Sequence, residues 1–169
     1  MAASMNLYVG IDPGLLGAIA VLDDEGRLLD AVRTPVIPSS GKGGKTEYDI
    51  PAMAQFLEHI SPDLRLITLE QVNAMPHDGV TSAFRFGMGY GIWRGIASAL
   101  RTPMMLARPV AWQAKALAGR PRGKAVKSSA VAAAKDLWPN IPIKYKRDWG
   151  MADAALIAEH GRRQHRSKL

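Results

Sequence analysis

The chain has 169 residues, no cysteine, and a formal net charge of +7 from 22 Lys and Arg against 15 Asp and Glu side chains. This length and a hydrophobic content of 47% are typical of one globular domain, and the missing cysteines exclude a disulfide framework, a thiolate zinc site and a cysteine nucleophile. No segment reaches the roughly 18 apolar residues of a membrane span, and residues 1–5 lack the pattern of a secretory signal, so we expect a cytoplasmic protein with no membrane partner.

The first half of the chain predicts short strands and one helix. Apolar runs bounded by turn residues predict strands at 6–12, 17–22, 28–36 and 64–72. Short links join the first three, which indicates an antiparallel meander, whereas the fourth is too apolar for a sheet edge. Residues 50–60 have a helical period. The Gly- and Lys-rich stretch 38–45 predicts a loop without the Gly-Lys-Ser/Thr ending of a nucleoside triphosphate site.

The second half of the chain predicts helices around one further short strand. Helices are predicted at 81–100, 124–137 and 151–163, a short helix begins near 108, and a strand is predicted at 103–107. Strands and helices in this order suit an α/β architecture, a mixed sheet with helices on both faces.

Small residues recur every four positions along the predicted helix 81–100. They are Ala83, Gly87, Gly91, Gly95 and Ala99. Because a glycine inside a helix costs about 1 kcal/mol against alanine, this row indicates a smooth ridge for close packing. The ridge packs either on the protein's own sheet or on a second subunit, and helix-packing rules allow both.

Acidic residues stand at the ends of predicted elements. Asp12 ends the first strand, Glu70 follows the apolar core of the fourth, and Asp148 and Asp153 lie near the start of the last helix. A carboxylate on an apolar face is costly to bury unless it is paired or bound to a metal. Carboxylates that hold two Mg²⁺ or Mn²⁺ ions catalyse phosphodiester hydrolysis. The alternative is that each acid is an isolated turn or capping residue.

The two parts of the chain carry opposite charge. Residues 1–100 contain 7 basic and 11 acidic side chains, a net −4, whereas residues 101–169 contain 15 and 4, a net +11. A strongly basic half points to a polyanion such as nucleic acid. Candidates for contacts with a phosphate backbone are Lys115, Arg120, Arg122, Lys124 and Lys127.

Several segments, in this order, resemble the RuvC family of Holliday-junction resolvases, in particular its phage-like and organellar branch. Val9-Gly-Ile-Asp-Pro-Gly14, Ile67-Thr-Leu-Glu-Gln-Val72 and Met151-Ala-Asp-Ala-Ala-Leu-Ile-Ala158 carry the acids, and the stretches 83–98 and 108–117 strengthen the match. The resemblance covers residues 6–163 of a single predicted nuclease domain, 1–169, and leaves 164–169 as a basic tail.

The resemblance implies a ribonuclease-H-like fold with a mixed five-stranded sheet, a homodimer, and Mg²⁺-dependent paired nicks in four-way DNA junctions that leave 5′-phosphate and 3′-hydroxyl ends. Asp12, Glu70 and Asp153 would bind the metals, and Asp148, five residues before Asp153, would be the fourth ligand. Mn²⁺ would substitute for Mg²⁺.

The resemblance also implies DNA contacts. Lys115 and Lys127 match positions that contact phosphate near the cut, and the loop after Glu70, with Asn73 and Met75, would probe the junction centre. A non-catalytic binder of branched DNA with the same fold is the main alternative. A sugar-kinase-like phosphotransferase also carries Asp-Pro-Gly turns, but the chain lacks a second domain and an adenosine motif.

Overall fold

The structure is a computed structural model that describes residues 6–39, 46–73 and 79–168. Its strands are β1 (Leu7–Asp12), β2 (Ala18–Leu22), β3 (Leu28–Arg33), β4 (Val36–Pro38), β5 (Thr46–Tyr48), β6 (Leu64–Glu70) and β7 (Met104–Ala107). Its helices are α1 (Ile50–Ile60), α2 (Val80–Ala99), α3 (Pro109–Ala116), α4 (Val126–Leu137) and α5 (Gly150–Arg166). Single 3₁₀ turns cover Ser61–Asp63, Gly123–Ala125 and Lys146–Asp148.

Five strands form one mixed sheet in the order β3-β2-β1-β6-β7. The pairs β1–β2 and β2–β3 are antiparallel, as the predicted meander requires, whereas β1–β6 and β6–β7 are parallel. The apolar strand β6 lies between β1 and β7, so the prediction that it is not an edge strand is confirmed.

The predicted third strand, 28–36, is wrong at its end. Strand β3 stops at Arg33, and β4 pairs antiparallel with β5 as a separate two-stranded sheet. Pro35 separates the two strands and has no N–H to donate to a ladder, which favours a break there. The β4–β5 pair lies on either side of the predicted loop 38–45, of which residues 40–45 lie outside the described residues.

Helices cover both faces of the five-stranded sheet, as predicted. On one face α3, α4 and α5 share a core with Tyr8 of β1 and Ala20 of β2. On the other face α1 and α2 pack against Val9 and Ile11 of β1. Successive side chains of a strand point to opposite faces, so Asp12 points to the same face as Tyr8, towards α5. This face carries the site described below.

Helix α5 lies directly on strand β1. An added Cβ on Gly10 would come within 2.1 Å of the carbonyl oxygen of Ala154 and 2.3 Å of the backbone nitrogen of Ala158, so this position requires glycine. On the neighbouring strand, a Cβ on Gly161 of α5 would overlap Thr68 of β6. The two glycines allow α5 to pack closely on β1 and β6.

The glycine stripe of α2 faces outward. An added Cβ on Gly87, Gly91 or Gly95 would meet no atom within 4 Å among the described residues, the nearby backbone of the helix itself aside. Trp93 and Ala97 of the same helix are buried in the core. The stripe therefore does not pack on the protein's own sheet. Among the described residues, no helix is both long and apolar enough to cross a membrane.

Candidate active site

The topology brings three of the predicted acids together. Asp12 ends β1 and Glu70 ends the neighbouring parallel strand β6, on the face that α5 covers. Asp153 lies in the first turn of α5, where the close contact at Gly10 holds the helix against β1. Parallel strands end at the same edge of a sheet, so the three carboxyl groups converge there.

Lys127, in the first turn of α4, reaches into this group of acids. Its ammonium donates to Oδ2 of Asp153, and its charge also acts on Asp12 and Glu70. The lysine side chain remains 56% exposed while that of Asp153 is 6% exposed, so Lys127 enters from the solvent edge. Within residues 6–39, 46–73 and 79–168, no three His, Asp or Glu side chains are arranged closely enough to hold a metal ion. The shared counter-ion in this arrangement is the lysine ammonium.

Burial raises the pKa of each of the three acids. The pKa of Asp12 rises to about 6, because burial outweighs the attraction of Lys127 and the hydrogen bond from the Gly14 backbone. Burial, and then the charge of Asp12, raises the pKa of Glu70 to about 7. Burial also raises the pKa of Asp153, although Lys127 opposes it. Acids that resist ionisation in this way would be stabilised by more positive charge than one lysine supplies.

Glu70 has a fixed partner that the sequence reading missed. The indole Nε1–H of Trp112, in α3, donates to Oε1 of Glu70 at 2.9 Å. Trp112 is only 1% exposed, so packing fixes its ring. The bond orients one oxygen of Glu70 and leaves the other to the cleft. From the sequence, a tryptophan in a short helix is expected to be a core residue, and 42 positions separate it from its partner.

A shallow cleft opens over the acids. Its walls include Leu16 of the β1–β2 turn, Phe86 of α2, and Lys146, Arg147 and Trp149 just before α5. Asp12, Glu70 and Lys127 form part of its floor. None of the wall residues was among the predicted contacts, although the basic and aromatic run 144–149 was visible in the sequence. The cleft joins carboxylates to cations, the combination that a phosphate-handling site needs.

The fourth predicted acid, Asp148, is not brought into this group. Its Oδ2 accepts the backbone N–H of Lys144 at 3.1 Å and of Tyr145 at 2.9 Å. Its Oδ1 lies 3.8 Å from Nε of Arg33 and 4.0 Å from Nε of Arg147. The pKa of Asp148 is lowered, most strongly by the hydrogen bond from the backbone N–H of Tyr145. Its role as a metal ligand stays a prediction, and its contacts are those of a residue that caps a turn.

The predicted DNA contacts fall into separate places. Lys127 lies in the cleft, whereas Lys115 and Arg120 line a different cavity between α3, α4 and α5, where Arg120 pairs with Asp136. The guanidinium of Arg122 donates to the carbonyl of Gln113 at 3.2 Å. Lys124 in the turn before α4 and Asn73 after β6 are exposed, and Met75 lies outside the described residues. The DNA contacts of these residues therefore stay a prediction.

The sheet order, the helices on both faces and the acids at the carboxyl edge define an α/β protein of the ribonuclease-H-like class. Among solved structures, RuvC of Thermus thermophilus shares this fold, with a TM-score of 0.63 and 19% identity over 96% of each chain. T. thermophilus RuvC in complex with a Holliday junction substrate matches with a TM-score of 0.65 and 18% identity, over 95% of this chain and 96% of that chain. No protein-family model matches the sequence, and a comparison with curated proteins found no match. The predicted fold class is confirmed.

Proposed function

We propose that this protein is a metal-dependent, structure-specific DNA endonuclease that resolves four-way junctions by paired nicks, leaving 5′-phosphate and 3′-hydroxyl ends. The observation that carries the proposal is the convergence of Asp12, Glu70 and Asp153 around Lys127 at the carboxyl edge of the sheet. The fold supports it, because RuvC with the same fold has been seen with a Holliday junction substrate.

The three acids supply the donor atoms that a hard divalent cation needs, although their spacing around Lys127 does not form a complete metal site. Carboxylate oxygens are the ligands that Mg²⁺ and Mn²⁺ prefer, and the raised pKa values of Asp12 and Glu70 are those of a site that gains from added positive charge. Lys127, being half exposed, is free to leave Asp153 when a metal takes its place. A bound Mg²⁺ would lower the pKa of a coordinated water and stabilise charge on the scissile phosphate. The two-metal form of this site, with Asp148 as fourth ligand, stays a prediction.

The protein's own side chains bind and orient. Trp112 holds Glu70 in one orientation through its indole N–H. The ammonium of Lys127, once released from Asp153, is placed to neutralise an oxygen of the scissile phosphate. Lys146 and Arg147 on the cleft wall attract the DNA backbone on the same side. Fixed charges of this kind are most effective where charge develops in the reaction.

A symmetric dimer is part of the proposal. A four-way junction presents two equivalent strands, and a two-fold dimer places one cleft on each. The outward glycine stripe of α2 (Gly87, Gly91, Gly95) is a smooth surface suited to close packing with a second copy. The exposed apolar side chains of Val80, Phe84 and Met88 lie on the same helix.

Replacing Asp12 by Asn tests the nuclease function. We expect the Asp12→Asn variant to cut a synthetic four-way junction about a thousandfold more slowly than the wild type, because the amide lacks the charge of a carboxylate ligand. A loss of this size corresponds to about 4 kcal/mol of transition-state stabilisation. Binding of the same junction should stay within about threefold. The cleavage rate in Mg²⁺ and in EDTA, and fluorescence anisotropy for binding, measure the two effects.

The matched control is Asp30→Asn, which changes an exposed carboxylate on β3 and should leave both measurements unchanged. Wild-type cleavage in EDTA, or a normal rate from Asp12→Asn, would contradict the proposal. Selective binding of junctions without cleavage by the wild type would instead support the alternative, a non-catalytic binder of branched DNA.

A further inference from the structure

Three residues of the segment 144–149, Lys146, Arg147 and Trp149, line one wall of the cleft, and hydrogen bonds hold the segment in place. The carboxylate of Asp148 accepts the N–H groups of Lys144 and Tyr145, so it closes the segment onto itself. The 3₁₀ turn Lys146–Asp148 then leads directly into α5. A backbone fixed in this way presents its side chains in defined directions, although most of them are exposed to solvent.

Tyr145 is the exposed aromatic residue of this segment. It is 60% exposed, and the guanidinium of Arg147 lies over its ring with Cζ 4.9 Å from the ring centroid. Arg147 is itself 4.0 Å from Asp148. Although the guanidinium lies over the ring, the greater part of the Tyr145 side chain remains exposed. A planar aromatic surface is therefore held open towards solvent.

The surroundings of Tyr145 are strongly basic and continuous with the cleft. Lys144, Lys146 and Arg147 surround it in the sequence, and the one acid of the segment, Asp148, is turned inward to the backbone. Lys146 and Arg147 line the same cleft as Asp12 and Glu70. An aromatic face among cations is the surface on which proteins stack nucleic-acid bases while they hold the backbone. The positive charge of this segment favours an anionic partner over a protein surface with few acidic residues.

We propose that Tyr145 is a stacking platform for an unpaired base of the DNA strand that lies in the cleft, with Lys146 and Arg147 on the phosphates of that strand. A paired base inside a duplex has both faces covered by its neighbours, so only a base released from the stack can lie on the ring. The platform thus favours DNA in which strands separate or branch. The inference rests on the proposed function, since it names how that site selects its substrate.

Substitutions that keep or remove the ring test the platform. We expect Tyr145→Phe and Tyr145→Trp to bind a four-way junction within about twofold of the wild type, and Tyr145→Leu to bind about tenfold more weakly, as loss of one base–aromatic stack would cause. Binding to uninterrupted duplex should be equal for all of them. The measurement is fluorescence anisotropy in EDTA, so that no cleavage intervenes.

An abasic scan identifies the base. Junctions that lack one base at each position near the branch are bound to the wild type and to Tyr145→Leu. At one position the two losses should not add, because the stack is already gone. Equal binding by Tyr145→Leu and the wild type, equal losses from Phe and Leu, or additive losses at every position would overturn the inference. A change in oligomeric state of Tyr145→Leu would assign the residue to a subunit contact and also overturn it.

The two proposals fail in different ways. If the wild type binds junctions but does not cut them, the proposed nuclease function is refuted, and the binding measurements still test the platform. If Tyr145→Leu cuts and binds junctions as well as the wild type does, the platform is refuted and the proposed nuclease function stands.

Discussion

At the scale of single residues, the buried carboxylate of Glu70 lowers the stability of the folded protein when it is ionised. Glu70 has a pKa of about 7 in the folded protein, against 4.5 for the free side chain, because it is buried and faces Asp12. Between these two values the folded state keeps a proton that the unfolded state has lost. The free energy of unfolding must therefore fall as pH rises from about 4.5 to about 7. The site is held in an ionised form that the fold itself disfavours.

We expect Glu70→Gln to raise the melting temperature at pH 8, by roughly 2–4 °C for each 1 kcal/mol gained in a domain of this size, and to have little effect at pH 4. The amide keeps an oxygen for the indole N–H of Trp112 and removes the charge. Thermal unfolding monitored by circular dichroism at the two pH values measures the change.

The matched control has the opposite sign. Glu159 is also buried, but the hydrogen bonds that it accepts from Arg162 and Arg163 outweigh burial and lower its pKa. Glu159→Gln should therefore lower the melting temperature at pH 8. Mg²⁺ should raise the melting temperature of the wild type more than that of Glu70→Gln. Destabilisation by Glu70→Gln at pH 8 would show that the carboxylate is not under this strain.

At the scale of elements, the short turn before α5 decides what Asp148 does. The resemblance assigns Asp148 to the metal, whereas its contacts here assign it to the backbone of Lys144 and Tyr145. Asparagine retains an acceptor oxygen for those two N–H groups but lacks the charge of a metal ligand. Alanine removes both. The pair of substitutions therefore separates the two roles.

A role in the turn alone predicts that Asp148→Asn cuts junctions within about fivefold of the wild type with an unchanged Mg²⁺ midpoint. Asp148→Ala would then lose about 1 kcal/mol of stability with the capping group. Cleavage rates across a Mg²⁺ titration, with Asp12→Asn as the reference, measure this. A loss in Asp148→Asn as large as that in Asp12→Asn would establish the fourth metal ligand.

The sequence predicts the elements that depend on local pattern and misses those that depend on distant partners. Strands β1 and β6 and helix α1 follow from apolar runs and periods within a few residues. The pair β4–β5 does not, because each strand has only three residues, too few to show a period, and their pairing joins segments on either side of a loop. Patterning within one segment carries no such information.

The candidate site shows the same division. Asp12, Glu70 and Asp153 are predictable because a carboxylate at the end of an apolar strand, or on an apolar helix face, has to be explained by a partner. The bond from Trp112 to Glu70 depends on how α3 packs and has no sequence signal. The orientation of Asp148 depends on a local hydrogen-bonded turn, which spacing from Asp153 does not encode.

At the scale of the whole molecule, the proposed two-fold arrangement depends on α2. Its inner side packs Trp93 and Ala97 into the core, and its outer side carries glycines whose Cα atoms leave open space. Glycine is poor in the middle of a helix, at about 1 kcal/mol per residue. Repeated outward glycines with no neighbour among the described residues are best explained by a partner helix that approaches closely there.

We expect Gly91→Leu to weaken self-association at least tenfold, because a bulky side chain in a closely packed contact costs about 1–3 kcal/mol and a two-fold axis repeats it on both copies. The protomer itself should remain folded and gain helix propensity, since an added Cβ at Gly91 meets no described atom within 4 Å. Sedimentation velocity over a range of concentrations measures the association, and circular dichroism verifies the fold.

Ala132→Leu, on the exposed side of α4, is the control for an added leucine. A Gly91→Leu protein with the self-association of the wild type would remove the stripe from the interface. If Gly91→Leu is a folded monomer that still binds junctions but makes single, unpaired nicks, then symmetry supplies the pairing of the cuts, whereas the chemistry belongs to each cleft.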